Sequence, residues 1–149
     1  MDFDDFTGQV QHRLELPSTA HAVRTIRATL TTLGARLQAG NAADLAASLP
    51  MEVDWYLTGA VSDHGEHFDW ETFVSRVSEI EGADPADAAH HARVVIDLVH
   101  EVVPESDFQQ LRDGLPEDEA DENWRQLFEV VDAGGWNDAA GSGSAGDAA

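Results

Sequence analysis

The sequence predicts an all-α protein: an internally duplicated helical bundle whose two similar halves, of three to four helices each, pack as one domain. Three observations predict it. Apolar residues recur at helical spacing along most of the chain. The pattern Asp2-Phe3-x-x-Phe6-x-x-x-Val10 returns as Asp69-Trp70-x-x-Phe73-x-x-x-Val77, an offset of 67. Then Leu45-x-x-x-Leu49-Pro50 returns as Leu111-x-x-x-Leu115-Pro116, an offset of 66, so one single-residue deletion reconciles the two. Repeats of this kind carry more information than single motifs. They divide the chain into halves at about 2–58 and 69–131, a linker at 59–68, a single body over 1–133 and a Gly/Ser/Ala/Asp tail over 134–149. Two separate domains of about 60 residues are disfavoured, because domains that small bury little surface.

The elements follow in order. Phe3, Phe6, Val10 and Leu14 step by 3, 4 and 4, one face of a helix. Asp2 stands at its N-cap position, where a carboxylate accepts the first free amides. Residues 19–38 carry Val23, Ile26, Leu30, Leu33 and Leu37, a narrow apolar seam. Gly40-Asn41 is expected to end that helix. A short helix over 42–48 is broken by Leu49-Pro50, since proline has no amide to donate. Val53, Trp55, Tyr56 and Leu57 close the first half.

The second half repeats the scheme. Asp69 caps a helix bearing Trp70, Phe73, Val77 and Ile80. Asp84-Pro85 is a cap followed by a first-turn proline. It opens a helix over 85–103 whose seam is Ala89, Ala92, Ile96, Val99 and Val103, ended by Pro104. A shorter helix covers 105–113, and Trp124, Leu127, Phe128 and Val131 form the closing piece. The aromatics at Phe3, Phe6, Trp55, Trp70, Phe73 and Trp124 read as core. Trp136 is the one bulky residue of the tail, and the sequence leaves open whether it docks.

Charge describes the setting. The chain has 29 Asp+Glu against 8 Lys+Arg, a formal net charge of −21, and all its basic residues are Arg. A domain so charged repels itself in dilute buffer. At about 1 M salt the Debye length shrinks to about 3 Å and screens the repulsion. High-salt adaptation is the expected reading. Nucleic acid is an unlikely ligand, since phosphate backbones are gripped by clustered Lys and Arg. There is no Cys, which removes disulfides and thiolate chemistry. Neither a signal sequence nor an apolar run long enough to span a membrane is present, so a cytoplasmic location is expected.

The Phe-x-x-x-Val starts, the long Ala/Leu/Val helix, the Ala46-Ala47-Ser48-Leu49-Pro50 signature and the second start, Phe73-Val74-Ser75-Arg76-Val77, resemble the domain of unknown function 2267 family. The likeness covers residues 3–131. It implies an all-helical, duplicated domain of prokaryotes, haloarchaea included. It brings no established activity and no catalytic residues to carry over.

Chemistry rests on seven His. At the repeat offset of 66, His90 and His91 correspond to Arg24 and Thr25, His21 to Asp87, and His100 to Gly34, so these are expected as surface residues. The sharpest cluster is Asp63-His64-Gly65-Glu66-His67-Phe68-Asp69. Two imidazoles among carboxylates suit Zn²⁺, but His64 and His67 sit in a loop and no second motif completes a tetrahedral set. Asp97, His100 and Glu101, within one turn of a helix, would extend such a site if the loop folded over them. Nucleophile elbows, phosphate loops and paired-histidine zinc helices are absent. No catalytic, cofactor or metal residue is therefore assigned. The expected function is a non-enzymatic helical binding module, taking a protein partner or small ligand across the seam between halves, with self-association as a further reading. The alternative is a metal- or small-ligand-dependent enzyme using the His64/His67 region.

Overall fold

The structure, a computed structural model, describes residues 1–59, 65–116 and 122–136. All regular structure among them is helical: α1 (Phe3–Leu14), α2 (Thr19–Arg36), α3 (Ala39–Ala46), α4 (Met51–Thr58), α5 (Trp70–Glu81), α6 (Pro85–Val102), α7 (Glu105–Gly114), a 3-10 helix (Asn123–Phe128) and α8 (Glu129–Asp132).

The ends of these helices follow from their caps. Asp2 accepts the Asp5 amide at 2.8 Å and Asp5 reaches back toward the Asp2 amide, a reciprocal capping box. Asp69 accepts the Thr72 amide at 2.9 Å. Ser18 caps α2 through the His21 amide at 3.1 Å. Asp84 stands at the N-cap of α6 without a side-chain bond, and Pro85 supplies the start instead. The chain leaves α1 through Glu15 and α5 through Gly82, both left-handed, at φ 52° and 75°.

Helices α2 and α6 form the axis. Helix α2 packs on α1, α4, α5 and α6, and α6 packs on α1, α5, the 3-10 helix and α8. Ile26, Leu30 and Leu33 of α2 and Ala92, Ile96 and Val99 of α6 lie in one hydrophobic cluster, joined by Phe6, Val53, Phe73, Phe108 and Phe128. Each large side chain sealed in this way contributes about 1.5–3 kcal/mol. Trp124 is buried against Phe68, Trp70 and Phe73, at ring separations of 6.4, 6.1 and 5.5 Å.

Four expectations change. Helix α2 stops at Arg36, because Leu37 turns to an extended ψ of 155°; Gly40-Asn41 then lies inside α3. The closing piece around Trp124 is a 3-10 helix followed by a four-residue α8. Trp55 is 62% exposed rather than core. Helix α4 buries Val53 and Leu57, one turn apart, and Trp55 between them points away, beside exposed Met51. Ile80 is exposed and Glu81 takes the buried place on α5. Among the described residues no helix is long and apolar enough to cross a membrane.

Candidate functional site

Among the described residues, three polar features stand out against the apolar interior. The first is a cavity of about 760 Å³ lined by Arg36, Leu37, Gln38, Asn41, His67, Gly114 and Pro116. Its walls come from the end of α2, the start of α3, the segment before α5 and the end of α7. Arg36 fixes them. This buried guanidinium donates from Nε to the Phe68 carbonyl at 3.2 Å and from a terminal nitrogen to the Leu115 carbonyl. Gly65 brings the incoming chain onto the end of α2. Its φ is 71°, and a Cβ there would stand 2.8 Å from the Arg36 carbonyl oxygen. The Glu66 amide bonds the Ala35 carbonyl at 2.8 Å beside it.

The second is a cavity of about 510 Å³ lined by Asp97, His100, Glu101, Glu105, Val131 and the strap Gly134–Trp136. Asp97 is 1% exposed. Its Oδ2 accepts the Trp136 amide at 2.9 Å and faces Arg13 at 3.4 Å. Arg13 also pairs with Glu101 at 2.6 Å, and its guanidinium lies 4.9 Å from the centre of the Trp136 ring. His12 meets the same ring edge-on at 5.9 Å. Burial pushes the Asp97 carboxyl above the usual aspartate range and Glu101 adds to it, against the Trp136 amide and Arg13. His100 pairs with Glu105 at 2.8 Å.

The third is a sealed knot where α2, α5 and α6 cross. The Thr25 hydroxyl donates to Glu81 Oε1 at 2.9 Å, and His91 Nδ1 pairs with the same oxygen. Glu81 Oε2 is buried without a partner. This arrangement holds helices together and presents no open face to a substrate.

His64 lies outside the described residues. His67 lines the seam cavity beside the Arg36 guanidinium and the Gln38 and Asn41 amides, with no carboxylate among the described lining residues. Among the described residues no group of three His, Asp or Glu side chains is arranged to hold a metal ion. Asp97, His100 and Glu101 do come together, but under the Trp136 strap. His90 is exposed, as its repeat position suggests; His12 and His67 are exposed too, and His21 is half-buried. His91 and His100 are half-buried because each has a carboxylate partner on a neighbouring segment. Arg36, Arg13 and Glu81 are the residues sequence reasoning missed. Each is a charge set beside an apolar stripe, and that is their one sequence signal.

The molecule is thus an all-helical protein, and its described residues set two polar cavities against the long axial helices. It belongs to a family of uncharacterized conserved proteins, DUF2267, whose model matches residues 3–122. No curated protein matches the chain.

Proposed function

We propose that this protein is a non-enzymatic helical binding module adapted to high salt, and that its small-ligand site is the seam cavity. One observation carries the reading: the cavity is walled jointly by Arg36, Leu37, Gln38 and Asn41 of the first half and Gly114 and Pro116 of the second. Pockets at such junctions are natural places for ligands. The side-chain amides of Gln38 and Asn41 supply polar groups for a small polar molecule. The test is thermal shift of the full chain with small carboxylates, phosphates and polyols, beside an Asn41→Trp variant that fills the cavity. A compound that raises Tm only in the unfilled protein supports the site. A shift equal in both proteins, or none from any compound, removes it. Zinc titration by calorimetry separates the metal-dependent alternative: wild type and a His64→Ala/His67→Ala variant are expected to give the same weak heats.

The halves are read as products of duplication. Supporting this, α1 and α5 each have 12 residues, and α2 and α6 each have 18. The caps Asp2 and Asp69 share φ near −89° and −88°. The departures are informative. Gly34 in α2 answers to His100 in α6, and a Cβ on Gly34 would meet the Leu57 carbonyl oxygen at 2.0 Å. So α4 presses onto α2 in the first half. In the second half His100 stands at the equivalent place and lines the second cavity.

A further inference from the structure

The strap cavity is already half occupied by a piece of this chain. Gly134 and Gly135 take φ of 103° and 90°, and Trp136 follows, half-buried against α1 and α6. The strap is held as a bound peptide is held. A buried carboxylate, Asp97, takes its backbone amide. A guanidinium, Arg13, takes the face of its indole, and His12 takes the edge. The glycine before the indole is needed for approach: a Cβ on Gly135 would lie 3.3 Å from Asp97 Oδ1. The strap fills only part of the space. Beside it remains the 510 Å³ cavity, whose charged walls are Asp97, Glu101, Glu105 and His100. Arg13 pairs with Asp97 and Glu101, and His100 pairs with Glu105, so three carboxylates and one imidazole line this space. The strap offers this acidic space no cation.

We propose that the cleft between the end of α1 and the second half of α6 is a peptide-binding site, occupied in cis by Gly134–Trp136 and open to a partner segment that carries a tryptophan followed by an arginine or lysine. Such a segment reproduces the indole and amide contacts of the strap and adds a cation to the acidic cavity. The cis strap acts as a competitor. A tethered segment presents itself at a millimolar effective concentration, and partner affinity falls by the fraction of time the cleft is filled.

The test uses the full chain with fluorescein-labelled peptides Gly-Gly-Trp-Arg, Gly-Gly-Trp-Glu and Gly-Gly-Ala-Arg, read by anisotropy in high and low KCl. Trp136→Ala empties the cleft. It is expected to bind Gly-Gly-Trp-Arg at least about tenfold more tightly than wild type does, and more tightly than either control peptide. Gly135→Ala strains the strap off while leaving Trp136 in the chain, and is expected to show the same gain. Glu105→Gln, on an exposed side chain, is expected to weaken only the arginine peptide. Far-ultraviolet dichroism checks that each variant is folded. If folded Trp136→Ala and Gly135→Ala bind Gly-Gly-Trp-Arg no better than wild type, the proposal is overturned. It is equally overturned if the three peptides bind alike. The seam cavity is untouched by these variants, so this outcome leaves the small-ligand reading standing on its own test.

Discussion

At the scale of residues, the buried charges decide most. Glu81 has 0% of its side chain exposed, and its partner His91 has 13%. A buried pair gives little net stability, but removing one member strands the other's charge. His91→Ala is therefore expected to cost about 3–5 kcal/mol in chemical denaturation. The double change Glu81→Met/His91→Leu is expected to cost less than that single one. The opposite order of losses would mean that the knot is held by packing alone. Asp97 gives a pH signature. Its carboxyl is raised mainly by burial, so the folded chain holds this proton more tightly than the unfolded chain does. Its contribution to stability is complete below the ordinary aspartate range and is lost as pH rises through the elevated value. Relative to Asp97→Asn, wild type is expected to gain Tm as pH falls from about 7 toward about 4. A constant difference across that range contradicts the assignment. This acid and its neighbours on α6 were visible in sequence as one helical turn. Arg13 and Trp136 were not, because nothing local in a chain says which distant surface a lone arginine or tryptophan will meet.

At the scale of elements, α1, α2, α5 and α6 were legible because their apolar periodicity is long and their caps are explicit. The short elements were not. Val53, Trp55 and Leu57 are all apolar, and eight residues are too few for periodicity to say which of them faces inward. Ile80 and Glu81 both continue the stripe of Phe73 and Val77 at allowed helical spacing. Hydropathy favours the isoleucine, and the Thr25 and His91 partners on neighbouring helices favour the glutamate. Gly34 separates local from tertiary effects. Replacing a mid-helix glycine by alanine ordinarily stabilises by about 1 kcal/mol. Here the added methyl collides with the Leu57 backbone, and overpacking costs about 1–3 kcal/mol or more. Gly34→Ala is expected to lower Tm, and a rise would show that α4 gives way freely. The caps make a paired prediction. Ser18→Ala is expected to lose about 1 kcal/mol. Asp84→Ala, whose side chain makes no cap bond, is expected to change far less in the same urea titration.

At the scale of the whole molecule, charge and core are largely separable. Apart from buried Glu81 and Asp97, the described acids occupy caps, helix faces and loops, while the central cluster is Leu, Val, Ile, Ala and aromatic rings. Repulsion at −21 opposes compaction in dilute buffer, and salt removes it. Raising KCl from about 0.1 M to about 3 M is expected to increase both helical dichroism and Tm. An unchanged signal would contradict high-salt adaptation.

Arg36 has a consequence for inheritance. It ties two distant stretches by their carbonyl oxygens, at Phe68 and Leu115, and every residue type has a carbonyl. These two bonds therefore depend on the backbone path, while the side chains of Phe68 and Leu115 are held to their types by the core in which both are buried. The arginine has no latitude either, because a lysine reaches with one compact ammonium where a forked guanidinium holds two partners.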